Sequence, residues 1–123
     1  MKRILVVDDE RPLVELLSHR LKSWGYEVLA ATNGEEGLRV AEAERPDLVL
    51  LDIRMPGMNG REMCARLRSR RELSQIPVIF LTALGMPDQI EEAFLAEPDD
   101  YIVKPFKPGE LKDRIQNCLM AKA

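Results

Sequence analysis

The chain has 123 residues and carries 18 lysine and arginine against 21 aspartate and glutamate side chains, a formal net charge of −3. That length suits one hydrophobic core and a single domain over residues 1–123, with no room expected within it for a separate output module, and it rules out a two-domain enzyme; a stand-alone unit and a piece of a longer protein both remain open. The acidic balance offers no uniform positive field for a phosphate backbone, so direct nucleic-acid binding is not expected. Hydrophobic residues at 46% and charged residues at 32% exclude a disordered chain.

Met1-Lys2-Arg3 leads into the apolar run Ile4 to Val7, closed by Asp8. The run is too short for a signal peptide or a membrane span, so a cytoplasmic protein with no membrane attachment is expected. Arg3 to Val7 is the first predicted strand. Leu13, Leu17, Leu21 and Trp24 then recur at helical spacing behind Pro12, a favourable first-turn residue, with Gly25 as the stop. Glu27 to Ala31 predicts a second strand, and its mixed composition places it nearer a sheet edge. Glu35 to Glu44 reads as a weaker helix, because a glycine such as Gly37 costs about 1 kcal/mol relative to alanine inside a helix.

Leu48 to Leu51 is the third predicted strand. Met63 and Leu67 mark a helix with its apolar side to the sheet. Arg66, Arg68, Arg70 and Arg71 read as its solvated, dipole-matched end rather than as a nucleic-acid patch. Val78 to Leu81 and Tyr101 to Val103 complete the strands. Ile90, Ala93 and Phe94 mark a short helix between them, and Leu111, Ile115, Cys118 and Leu119 a clear one after them. Continuous apolar runs belong to strands covered on both faces. Their alternation with amphipathic stretches predicts an α/β fold, an open, doubly wound sheet of five parallel strands with helices on both faces. Cys64 and Cys118 lack any metal-like spacing and read as reduced, partly buried thiols; His19 lies off the apolar stripe of its helix and reads as exposed. Met55, Met58, Met63 and Met86 read as packing residues.

Ligands of such sheets bind outside the carboxyl ends of the strands, so the residues that end the apolar runs are informative. Here they are Asp8-Asp9-Glu10, Asp52, Thr82-Ala83 and Lys104-Pro105. Clustered carboxylates repel one another, and a hard divalent cation relieves the repulsion. Mg2+ or Mn2+ facing Asp8, Asp9 and Asp52 fits that role, because such ions keep positions open for phosphate oxygens. Phosphoryl transfer needs positioning and charge neutralisation, which Lys104 and Thr82 can supply, with Asp52 as the nucleophile that forms an acyl phosphate.

The segments Ile4-Leu5-Val6-Val7-Asp8-Asp9-Glu10, Leu50-Leu51-Asp52-Ile53-Arg54-Met55-Pro56-Gly57-Met58-Asn59-Gly60, Thr82-Ala83 and Asp100-Tyr101-Ile102-Val103-Lys104-Pro105-Phe106 resemble the receiver domain of bacterial two-component response regulators, including the chemotaxis regulators. The resemblance implies a flavodoxin-like sheet of strand order 2-1-3-4-5. It implies that Asp52 accepts a phosphoryl group from a histidine kinase or histidine phosphotransfer protein, and that Asp8, Asp9, Asp52 and the backbone carbonyl of Arg54 hold Mg2+. Thr82 and Lys104 are then expected to contact the phosphoryl oxygens. Thr82 and Tyr101 form the expected switch pair, which passes the phosphorylated state to a downstream protein or output domain. Lys104-Pro105 matches the cis peptide of the family, tolerated because X-Pro bonds accept that isomer. A phosphorylation-dependent dimer is compatible with the composition, and the module is expected to assist its own phosphorylation and dephosphorylation rather than to turn over a separate substrate.

Some positions depart from the pattern. Glu97-Pro98 replaces small residues ahead of the last strand and implies a different or strained entry; Gly37 stands where alanine is usual; Arg54 and Leu84 flank the route of an attacking water, where their bulk is expected to slow acyl phosphate hydrolysis. Two other classes share the architecture. A dehalogenase-type hydrolase needs a second aspartate two residues after the nucleophile, where this chain has Arg54. An FMN carrier needs a phosphate loop that Asp8-Asp9-Glu10 would repel.

Overall fold

The computed structural model describes residues 1–83 and 98–121. Its elements are β1 (Arg3–Val7), α1 (Arg11–Ser23), β2 (Glu27–Ala31), α2 (Gly34–Glu44), β3 (Leu48–Asp52), α3 (Gly60–Ser69), β4 (Val78–Ala83), β5 (Asp100–Lys104) and α4 (Pro108–Ala121). The helix expected around Ile90, Ala93 and Phe94 lies outside the described residues, as do Leu84, Met86 and Glu97.

The five strands form one sheet in the order β2-β1-β3-β4-β5, and every neighbouring pair is parallel. Side chains alternate between its two faces. Leu5, Val7, Val49, Leu51, Val78 and Phe80 pack with Leu38 and Ala41 of α2 and Met63, Cys64 and Leu67 of α3. Ile4, Val6, Leu48, Leu50, Ile79, Leu81 and Ile102 pack with Leu17 and Leu21 of α1 and Leu111, Ile115 and Cys118 of α4. The continuous apolar runs of β1 and β3 are the price of being covered on both sides, and the mixed β2, with only Ala31 fully buried, is an edge strand as its composition implies. Both cysteines are buried and reduced, and His19 is exposed.

Strand ends extend one or two residues past the apolar runs, so Asp52, Thr82 and Lys104 belong to the ladder itself rather than to the loops after it. Helix starts follow local chemistry. Asn33 caps α2 by accepting the Glu36 N–H at 2.8 Å, and Glu36 reaches back to the Thr32 N–H at 3.2 Å; Asn59 caps α3 through the Glu62 N–H at 2.9 Å. α2 runs through Gly37 without a break, and packing accounts for the glycine. A Cβ there would lie 2.9 Å from Val7 Cγ2 and 3.0 Å from the Met63 thioether.

The arginine cluster is less solvated than expected. Arg68 is drawn inward, donating to the Ser74 and Ile76 carbonyls at 3.2 and 2.6 Å and pairing with Asp99 at 2.8 Å. Arg70 pairs with Glu42. Past Pro98, Asp99 enters β5 in register. Its N–H donates to the Val78 carbonyl and its carboxylate accepts from the Val78 N–H, both at 2.8 Å.

Candidate functional site

Four strand ends meet at the carboxyl edge of the sheet. Asp8 follows β1 directly and is fully buried, its N–H donating to the Ala31 carbonyl at the end of β2. Asp52 closes β3 and is buried; Thr82, on β4, is buried one rung beyond Leu81, the residue that pairs with Asp52. Lys104 closes β5, pairs with Ala83 and is half-buried, and the peptide to Pro105 is cis. Parallel strands in this register bring into one cleft residues that are tens of positions apart.

Charge dominates the cleft. Carboxylate oxygens of Asp8, Asp9 and Asp52 all lie within 4.8 Å of one another. The Lys104 ammonium sits 3.0 Å from Asp8 Oδ2, 3.7 Å from Asp52 Oδ2 and 3.9 Å from Glu10 Oε1. Backbone amides hold the carboxylates in place: Glu10 N–H donates to Asp8 Oδ1 at 3.0 Å, and Arg54 N–H to Asp52 Oδ1 at 3.2 Å. Burial raises the Asp52 carboxyl to about 6; the Asp8 and Asp9 charges push the same way, and Lys104 and the Arg54 N–H pull back. Burial also works against the Lys104 charge. The hydrogen bond to Asp8 and the charges of Asp52, Asp8 and Glu10 outweigh it, and hold the ammonium above the ordinary lysine value.

The donor set suits a hard divalent cation. The oxygens of Asp8, Asp9 and Asp52 are close enough to face a common ion, and all three donors are hard carboxylate oxygens. Of the expected residues, Asp8, Asp9, Asp52 and Lys104 therefore share one cleft, and Thr82 lies at the same strand end. Arg54 touches Asp52 through its N–H and is exposed. Tyr101 pairs with Phe80, two rungs before the Thr82–Val103 pair and on the same sheet face, half-buried against the core beneath α2 and α3. Glu10, present in the acidic run but not singled out by sequence, is the further carboxylate within reach of Lys104.

The pattern described for response regulator receiver domains matches residues 4–116. The chain belongs to the response regulator receiver domain family. Receiver domains are the phosphoacceptor signalling modules of two-component systems. This one is 48% identical over 119 residues to the protein named "Probable transcriptional regulator ycf27" of Cyanophora paradoxa, covering 96% of this chain and 48% of that protein. It is 41% identical to the alkaline phosphatase synthesis transcriptional regulatory protein PhoP of Bacillus subtilis, again over 96% of this chain and 48% of the other. The receiver thus spans about half the length of these curated relatives.

Solved structures agree with the fold. The signal receiver domain of a Syntrophus aciditrophicus histidine kinase superposes with a TM-score of 0.93 at 35% identity, over 98% of this chain and 92% of that one. Chemotaxis protein CheY4 of Vibrio cholerae gives 0.90 at 32%, over 96% and 98%. The receiver domain of the sensor histidine kinase PA1611 from Pseudomonas aeruginosa, with a magnesium ion coordinated in its active-site cleft, gives 0.90 at 31%, over 96% and 97%.

Proposed function

We propose that Asp52 is the phosphoacceptor of this receiver domain, and that Asp8, Asp9, Asp52 and the Arg54 carbonyl hold Mg2+ or Mn2+ beside it. The observation that carries the reading is the buried Asp52 carboxylate, within 4.8 Å of the Asp8 and Asp9 oxygens and 3.7 Å from the Lys104 ammonium. A carboxylate oxygen of Asp52 attacks the phosphorus of a phosphohistidine, the P–O bond of an acyl phosphate forms, and the P–N bond to the donor imidazole breaks. Lys104 sits where it can neutralise a phosphoryl oxygen, and the Thr82 hydroxyl supplies a hydrogen bond from β4. A bound divalent cation, when present, supplies the charge that lets an anionic carboxylate and an anionic phosphoryl group approach each other.

Once the phosphoryl group is in place, Lys104 exchanges a carboxylate partner for a phosphoryl oxygen, and Thr82 is drawn toward the same group. Tyr101, on the neighbouring strand and the same face, follows the vacated space and alters the surface around it. That shift of population changes affinity for a downstream protein or an output domain. The donor is a histidine kinase or histidine phosphotransfer protein. Catalysis here serves the module's own modification, and no separate substrate is turned over.

The magnesium of the PA1611 receiver favours the same ion in this cleft. Names such as transcriptional regulator describe the relatives as wholes. For residues 1–123, which we read as a single domain, a net charge of −3 favours protein partners over direct nucleic-acid contact. No described helix is long and apolar enough to cross a membrane, and we place the module in the cytoplasm; phosphorylation-dependent dimerisation belongs to the same reading. Intact-mass spectrometry after incubation with acetyl phosphate tests the site. A single phosphoryl adduct that requires both Mg2+ and Asp52 is expected, and an adduct that survives Asp52→Asn overturns the assignment.

A further inference from the structure

The loop between β3 and α3, residues 53–59, carries the Arg54 N–H that holds Asp52 and the Arg54 carbonyl assigned above to the cation. One bond ties it to the strand and another closes it on itself. Arg54 N–H donates to Asp52 Oδ1 at 3.2 Å, and Gly60 N–H donates to the Ile53 carbonyl at 2.9 Å. Gly60 lies so close to β3 that an added Cβ would be 2.2 Å from the Asp52 carbonyl oxygen. The middle of the loop has a different support. A Cβ on Gly34, the first residue of α2, would be 2.5 Å from the Met58 carbonyl oxygen and 3.0 Å from Met58 Cβ.

Glycine at residue 34 is not explained by backbone conformation, since the positive-φ glycines are Gly25 and Gly57. Helix propensity argues against it as well. What remains is the contact. Because the opposing atom is a main-chain oxygen, no rotamer change can relieve a methyl group there. At Gly37, one turn further on, the facing atoms belong to side chains, Val7 Cγ2 and the flexible Met63 thioether, rather than to the main chain. The start of α2 therefore acts as a rigid stop against the loop, and α2 is itself seated on β1 and α3 through Gly37.

We infer that Gly34 is a positioning residue for the cation and phosphoryl site, acting from a helix that contributes no ligand. The inference rests on the divalent-cation reading of Asp8, Asp9 and Asp52. An alanine at residue 34 must push the Met58 peptide away by about 0.5–1 Å, a displacement comparable to the tolerance of a preorganised site. Gly60, two residues from Met58, is packed hard on β3, and the Arg54 end is held by a single 3.2 Å hydrogen bond, so the displacement is passed toward Arg54.

The test is Mn2+ affinity, followed by electron paramagnetic resonance, together with the amide resonance of Arg54 in metal-free protein. Gly34→Ala is expected to weaken Mn2+ binding about tenfold, the lower end of what losing a supporting group costs a metal site, and to shift the Arg54 amide. Gly37→Ala, in the same helix, is expected to leave both unchanged while altering thermal stability. Met58→Gly keeps Gly34 and frees the same peptide from the loop side; it is expected to weaken Mn2+ binding and shift Arg54, and it decides the matter if Gly34→Ala does not fold. Unchanged affinity in Gly34→Ala or in Met58→Gly overturns the inference alone, and so does an equal loss in Gly37→Ala. A parent protein that binds no Mn2+ removes the site reading and the inference with it.

Discussion

Replacing Asp52 by asparagine should make the metal-free protein more stable at neutral pH, the reverse of what deleting a functional charge does at an exposed site. The Asp52 carboxyl is raised from 3.8 to about 6 by burial and by the Asp8 and Asp9 charges. At 1.36 kcal/mol per unit the shift corresponds to about 3 kcal/mol against the folded state, and local relaxation leaves about 1–3 kcal/mol. The sign fixes the window. Between pH 3.8 and about 6 the folded parent keeps a proton that the unfolded chain has released, so parental stability falls as pH rises through that interval. Asparagine has no such titration, and it still accepts the Arg54 N–H. The difference between the two melting temperatures in chelator should therefore be near zero in acid, open through the window and level off above it. At the plateau about 1–3 kcal/mol corresponds to roughly 3–12 °C for a domain of this size. Saturating Mg2+ should close the gap from the other side, since a ligand at a hundred times its Kd adds about 2.7 kcal/mol to the parent alone. Equal melting temperatures at neutral pH, or a gap that persists unchanged in acid, would refute the electrostatic account of the cleft.

Three further substitutions probe other parts of the fold. Lys104→Ala removes the cation from a fully buried Asp8 and from Asp52. It should cost about 3 kcal/mol at neutral pH without Mg2+, and phosphorylation should no longer alter the resonances of Tyr101; a preserved response would exclude Lys104 from the coupling. Asp9→Asn takes away an exposed carboxylate of the cluster; calorimetry should show Mg2+ affinity reduced at least about tenfold, with little change in metal-free stability. Arg68→Ala deletes two bonds to carbonyls and the pair with Asp99. Urea titration should report a loss of about 2–3 kcal/mol, with acetyl phosphate labelling of the folded protein unaffected.

Sequence displayed the strands well because the buried stretches of β1 (Ile4 to Val7) and β3 (Leu48 to Leu51), covered on both faces, must be apolar at every position. It displayed the site for a related reason. Once a strand is apolar throughout, the first polar residue marks its end, and in a parallel sheet all such ends fall on one edge. Asp8, Asp52, Thr82 and Lys104 are legible on that account, and the edge strand β2 betrays itself by its mixture. Contacts across the chain were not legible. Arg68 looks like any solvated arginine near a helix end, and only its meeting with Asp99, 31 residues away, draws it inward. Gly37 illustrates the same limit, because propensity is a property of one helix while the space beside Val7 and Met63 is a property of three elements. Glu10 was visible as part of an acidic run, but its distance from Lys104 depends on how β5 ends.

The Lys104–Asp8 pair joins residues 96 positions apart along the chain, and Asp52 lies near the middle of that span. No fragment short of β1, β3 and β5 in register contains the cleft, so an unfolded or half-assembled chain offers Asp52 as an ordinary solvated carboxylate. With Asp52 as the proposed acceptor, acyl phosphate formation becomes a census of correctly folded molecules. In a test tube, a labelling pulse short against refolding reports the native population at each denaturant concentration.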